Sequence, residues 1–298
     1  MARENANRGA NRSHRVRSRF FAPPEQFDGC FTTFYRLELE VDKGRQVTDY
    51  LQPEWGNIRF FAGSVPTGSI ARSKLDGARC VATGPSSKPL KFSLGSAKMW
   101  GIGFLPLGWA RFVRSDAAKL ANVLADAEKH PAFQHLSGIC EVLCDEDATD
   151  EEQFAAIVSL MGKTMQPTRD DEKIRQVHRA LLEEELVSVT EFAERSRMSV
   201  RTLERITQRY FGFAPKLLMR RQRFMRSLVH FMLHPGKKWT DAMDGHYHDQ
   251  AQFSREFTEF MTMSPSAYAA LDHPILDSFV QARARIWGSA AQTLDKPG

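Results

Sequence analysis

The sequence predicts an α+β protein: an N-terminal β-barrel or sandwich followed by helices, then an all-α C-terminal domain with two helix-turn-helix units joined by a linker helix. Three observations carry this. Short apolar runs broken by Gly, Pro and Ser occupy the first half. Helical spacing of apolar residues takes over in the second. One helical signature, running from Ala193 to Pro215, recurs as Ala242 to Pro265. The 298 residues leave room for two such domains.

Residues 1–24 are rich in Arg, Asn and Ser and end in Pro23-Pro24, which predicts a disordered basic arm, solvated or attracted to nucleic acid. Thr32–Val41, Asn57–Val65, Arg79–Thr83, Leu90–Leu94 and Lys98–Phe104 then read as strands, and strands this short and frequent suggest a small barrel or sandwich. Trp55, Phe61, Trp100 and Phe104 are candidates to line an apolar pocket, against the alternative that such aromatics simply fill the core. Between Asp116 and Gly162 the spacing turns helical, and Thr149-Asp150-Glu151-Glu152 is a capping box, in which a hydroxyl and a carboxylate satisfy each other's orphan amides. These helices are a candidate dimer surface or pack on their own barrel. Gln166–Arg169 reads as a linker.

The two helical units are read from their punctuation. Ser188 with Glu191 opens one helix, and Ser199 caps a second in which Leu203, Ile206 and Tyr210 face inward. Arg201, Thr202 and Arg205 are left on the outer face, and Gly212 and Pro215 end the helix. In the second unit Asp249 caps a helix buried through Phe253, Phe257 and Phe260, leaving Gln250, Gln252, Ser254 and Arg255 outside. Gln can pair with adenine and Arg with guanine through two hydrogen bonds each, which suits both faces to base edges in a major groove. The run from Pro215 to Met232 reads as the linker helix; about eighteen residues at ~1.5 Å each give roughly 27 Å, near one turn of DNA at roughly 34 Å.

The formal charge of +5 is mild, but its placement is not: from Arg195 to Lys238 the only acid is Glu204. A block of this kind serves a phosphate backbone or faces solvent. Arg209, Lys216, Arg221, Lys237 and Lys238 are the candidate phosphate contacts.

With Ala193, Met198-Ser199, Leu203, Arg205, Gly212 and Pro215 in one copy, and Ala242, Tyr247, Asp249-Gln250, Phe253, Arg255, Phe257, Ser264-Pro265 and Tyr268 in the other, the chain resembles the AraC/XylS transcription regulators over roughly Asp170 to Leu271. The resemblance assigns base reading to Arg201, Thr202, Arg205, Gln250, Gln252, Ser254 and Arg255. It implies a cupin-like sensory barrel that also dimerises (25–165), a double helix-turn-helix domain (170–272) and a tail (273–298). Its implied partners are double-stranded DNA, a small apolar effector, a second copy and RNA polymerase. The family usually carries Gly where Arg197, His246 and Thr262 stand here, and Gly245 is the candidate to take over the second turn.

No nucleophile elbow, phosphate loop or dinucleotide fingerprint is present, and no His lies between His14 and His130, so no enzyme and no cofactor is expected. His130, His135, Cys140 and Cys144 have zinc-ligand chemistry without finger spacing, and Cys140 and Cys144 sit in an apolar run where a thiol behaves as a small hydrophobe. No metal is expected. A signal sequence and a bilayer-spanning stretch are not seen, which predicts a cytoplasmic protein. Two other readings are an enzyme with a reactive Cys carrying a DNA-targeting module, and a regulator whose barrel only oligomerises.

Overall fold

The computed structural model describes residues 3–6, 14–184, 186–234 and 238–297. Its first half is a pair of antiparallel sheets. The larger, 7-stranded, runs β1-β2-β3-β10-β5-β8-β11, and the smaller, 4-stranded, runs β4-β9-β6-β7. The strands are β1 (Arg3–Ala6), β2 (His14–Phe21), β3 (Phe31–Val41), β4 (Val47–Leu51), β5 (Asn57–Gly63), β6 (Thr67–Ile70), β7 (Ser73–Asp76), β8 (Cys80–Thr83), β9 (Leu90–Leu94), β10 (Ala97–Phe104) and β11 (Leu124–Asp126). The five strands expected from apolar runs are all present, with ends shifted by two residues at most.

Two expectations about the chain ends fail. The stretch 14–21 is a strand paired with β3 and no disordered arm. Its alternation hides Val16, Ser18 and Phe20 and leaves Arg15 exposed and Arg17 and Arg19 half-buried, a period-2 pattern that the arginine content conceals. The rest of that arm lies partly outside the described residues. The presumed tail, in turn, folds back as a helix and a short turn against the barrel.

The helices are α1 (Asp150–Thr164), α2 (Asp171–Leu181), α3 (Val189–Arg195), α4 (Val200–Ile206), α5 (Pro215–Leu233), α6 (Trp239–Ala242), α7 (Gln250–Met261), α8 (Pro265–Ala269) and α9 (Leu276–Trp287). The capping box before α1 forms as predicted: Thr149 Oγ1 accepts from Glu152 N at 3.2 Å and Glu152 accepts from Thr149 N at 2.9 Å. The region 116–149 does not become helix. It holds short helical turns and β11, because Leu120 and Leu124 face different parts of the core.

The apolar interior has three parts. The largest joins the barrel (Phe34, Trp55, Trp100, Phe104, Trp109) without a break to α2, α3 and α4 through Ile174, Val177, Phe192, Leu203 and Ile206. A second lies between the sheets and is closed by Ile275 and Ala282. The third belongs to the second helical unit, with Phe224, Phe253, Phe257 and Phe260 packed against Leu276 and Val280. Burial of a large apolar side chain contributes ~1.5–3 kcal/mol, so the first unit draws much of its stability from the barrel.

Candidate nucleic-acid interface

The first reading helix is α4. Ser199 Oγ accepts from Thr202 N at 3.3 Å, and α4 runs on with a wider turn through Thr207–Phe211 to Gly212. Gly212 adopts φ +87°, and a Cβ there would stand 3.1 Å from Pro85 and 3.3 Å from the Ala117 carbonyl, so the helix stops hard against the barrel. The turn between α3 and α4 closes with Arg197 N donating to Glu194 O and Met198 N to Ala193 O. Arg197 takes φ +55° to do so, a conformation glycine adopts without cost.

Arg201 is exposed on the outer face of α4, while Thr202 is half-buried and its hydroxyl lies 3.0 Å from Ser199 Oγ. Arg205 is occupied: its guanidinium donates to both oxygens of buried Asp170, at 3.0 and 3.3 Å. Tyr210 donates to the same carboxylate at 3.1 Å. The Arg205 hydrogen bonds, outweighing burial, hold Asp170 down at about 2. Arg205 therefore locks α4 to the start of α2, with part of its side chain still facing solvent.

In the second unit Asp249 caps α7, accepting from Gln252 N at 2.6 Å, while Gln252 Oε1 accepts from His248 N at 3.0 Å. Gln250 and Arg255 are exposed, and Gln252 and Ser254 are half-buried. The turn before α7 does not rest on Gly245, whose φ is not positive. Asp244 makes it instead: its carboxylate accepts from His246 N at 3.0 Å and pairs with Arg226 at 2.5 Å, while Asp244 N donates to Ser227 at 2.9 Å. Thr262 ends α7 at φ +58°, the third position where glycine was expected.

The linker helix overturns the simplest view of its arginines. Arg220 and Arg223 donate to one buried carboxylate, Glu256, at 2.9 and 2.6 Å, and Arg226 holds Asp244. Arg221 is fully buried, its guanidinium 3.9 Å from the centroid of Trp55 and donating to Ser86 O at 3.0 Å. It is no phosphate contact. Its position three residues after Leu218 and four before Met225 puts it on the apolar stripe, a spacing legible in the sequence but outvoted by its charge. Burial lowers the Arg221 pKa to about 9. Arg209, Lys216 and Lys238 are exposed, and Lys237 lies outside the described residues.

The four pocket aromatics divide. Phe61 lines a cavity between the sheets and α9, beside Leu37, Leu90, Phe92 and Phe279. Trp55, Trp100 and Phe104 do not; they fill the core on the other face, where Trp100 Nε1 donates to Gln153 at 2.6 Å. Strand alternation separates Phe60 and Trp100 from Phe61 and Met99. The charged residues of the cavity, Glu54, Arg59 and Arg283, went unremarked in the sequence, although a charge inside an apolar strand run such as Arg59 is a usable signal. His135 Nε2 lies 2.7 Å from the Phe112 carbonyl and Cys140 Sγ 3.6 Å from Cys144 Sγ. Among the described residues no group of three or more His, Cys, Asp or Glu is placed to hold a metal ion, and no helix is long and apolar enough to cross a membrane.

Residues 192–270 match the family described as a helix-turn-helix domain. Solved structures similar to the chain include ToxT from Vibrio cholerae O395, at 14% identity over 87% of this chain and 98% of that one with a TM-score of 0.41. Wild-type ToxT from Vibrio cholerae strain SCE256, bound to an unsaturated fatty acid, shows 13% identity over 88% and 97% with a TM-score of 0.40. The AraC-like transcriptional activator CuxR shows 11% identity over 76% and 85% with a TM-score of 0.31. No curated protein matches the chain.

Proposed function

We propose how this chain, a DNA-binding transcription regulator of the AraC type by its helix-turn-helix domain, finds its site and answers to a signal. Arg201 on α4 and Gln250 and Arg255 on α7 read base edges directly. Thr202, Gln252 and Ser254 add shorter-range contacts beside them, and Arg205 divides its donors between Asp170 and DNA. Arg209, Lys216 and Lys238 take phosphates. The observation that carries this reading is the unlike chemistry of the two exposed faces on buried faces of the same type. One subunit therefore reads two different half-sites about one helical turn apart, ~10 bp.

The signal enters at the cavity between the sheets and α9, where a small apolar effector binds. Its far wall follows directly on α8, so a ligand there bears on the second reading unit. The protein acts in the cytoplasm without a catalytic step of its own, as a homodimer and with RNA polymerase as downstream partner. Selection of bound duplexes from a random pool tests the reading of DNA: the expected consensus is two dissimilar blocks one turn apart, and a palindrome within one subunit's footprint contradicts it.

A further inference from the structure

The cavity under α9 is walled by Leu37, Leu51, Phe61, Phe92 and Phe279 and by polar side chains of unusual make-up. Among these are two buried guanidinium groups, Arg59 at 5% and Arg283 at 1% exposure. Each already has its counter-charge within the chain. Arg59 Nη2 donates to Glu54 at 2.6 and 2.9 Å, and its Nε donates to Tyr35 Oη at 3.0 Å. Arg283 pairs with buried Asp295 and donates to Ser289 O at 2.6 Å. Yet hydrogen-bonding capacity is left over: Arg59 Nη1, Arg283 Nε, Gln52 Oε1 and Gln292 Oε1 are buried, line this cavity and have no partner. Buried polar atoms are ordinarily satisfied, so a group of four around one space points to something that occupies it.

We propose that this cavity takes a small uncharged amphiphile, an apolar group that ends in a primary amide. The inference rests on the reading of the cavity as the effector site and adds the class of effector. The amide oxygen accepts from Arg59 Nη1 and Arg283 Nε and the amide NH2 donates to the two glutamine oxygens, which satisfies all four atoms at no cost in net charge. A carboxylate head accepts from the arginines but has no proton for the glutamine oxygens. It also adds a third anion to two matched pairs, against the Glu54 carboxylate that lines the same space. In a buried site the unpaired charge dominates, and the acid is the poorer ligand.

The test compares butyramide with butyrate at pH 8 on the full chain, by thermal shift and by equilibrium binding. Butyramide is expected to bind at least tenfold more tightly. Glu54→Gln, which removes the internal counter-charge of Arg59, is expected to shift the preference toward butyrate by at least tenfold. Leu51→Trp, which fills the apolar part of the cavity of about 90 Å³, is expected to abolish binding of both. Tighter binding of butyrate to the unaltered chain overturns the ligand class and leaves the cavity reading in place. Binding of neither, or butyramide binding that survives Leu51→Trp, overturns the cavity reading itself. If Glu54→Gln does not fold, the two ligands on the unaltered chain decide the matter.

Discussion

The Arg221 guanidinium lies over the Trp55 ring at 3.9 Å from its centroid, and the contact joins the linker helix to the barrel. Trp55 also meets His178 on α2 at 5.9 Å and Phe211 at the end of the first reading helix at 5.6 Å, so one barrel residue gathers three parts of the DNA-binding half. Trp55→Ala is expected to cost ~3–5 kcal/mol, the range for deleting a buried aromatic. Arg221→Met is expected to cost less, ~1 kcal/mol or nothing, because it also removes a buried charge without a carboxylate partner. Chemical denaturation of the two variants checks the order, and a larger loss for Arg221→Met contradicts it.

His178 gives the fold an acid limit. Burial first, and the neighbouring Arg221 second, hold its pKa down at about 3, against 6.5 for a free imidazole. The folded protein keeps it neutral while the unfolded chain takes a proton below 6.5, so its contribution is complete above that value and falls as the pH drops toward 3. The slope is up to ~1.4 kcal/mol per pH unit. His178→Leu should flatten the dependence of unfolding free energy on pH between 6.5 and 4. An unchanged slope would falsify the assignment.

Arg197 and Thr262 hold left-handed backbone without being glycine. Arg197→Gly and Thr262→Gly are each expected to raise stability by ~0.5–1 kcal/mol, since relief of the Cβ strain exceeds the entropy glycine adds to the unfolded chain. Thermal melts of the single and double variants measure this, and a fall in melting temperature for either one removes strain as the explanation at that turn.

Asp49 anchors the returning C-terminal helix. Its carboxylate accepts from Ile275 N at 2.9 Å, Leu276 N at 2.8 Å and His273 Nδ1 at 3.0 Å, all buried. Asp49→Ala leaves two amides without an acceptor, at ~1–3 kcal/mol each. The segment from 272 onward should then become cleavable by protease under native conditions while the rest resists; unaltered resistance argues that packing alone retains it.

On DNA, Arg255→Ala is expected to weaken the cognate site by ~1–3 kcal/mol and leave scrambled duplex nearly unaffected. Lys238→Ala is expected to weaken all duplexes alike and to lower the salt dependence by about one phosphate contact. Gel shifts across a salt series separate them, and equal losses on cognate and scrambled duplex for Arg255→Ala contradict base reading.

Periodicity and caps made the elements legible wherever side-chain type and position agreed. Ser199, Asp249 and the Thr149 box begin their helices as read, and Leu203, Ile206, Phe253 and Phe257 are buried as read. Sequence reasoning fell short where a charged residue occupies an interior position. Arg221 sits on an apolar stripe and was read as a phosphate contact, and Arg59 inside a sheet went unremarked; at 14–21 the arginines concealed a strand whose alternate residues are buried. The cavity under α9 was hidden for a different reason. Its walls come from β3, β5 and β9 and from α9, segments far apart in sequence that no local pattern connects.

The unbroken interior that runs from Phe34 and Trp55 through Ile174 to Leu203 makes the two halves of the molecule poor subjects for exchange. A chimera joined at 166–169 would cut through a shared interior and leave both fragments with a raw apolar face. Transplanting the operator preference of this protein onto another sensor is better done by replacing the outward side chains of α4 and α7 than by moving the whole helical half, and descent by shuffling of halves would require partners already matched at Trp55.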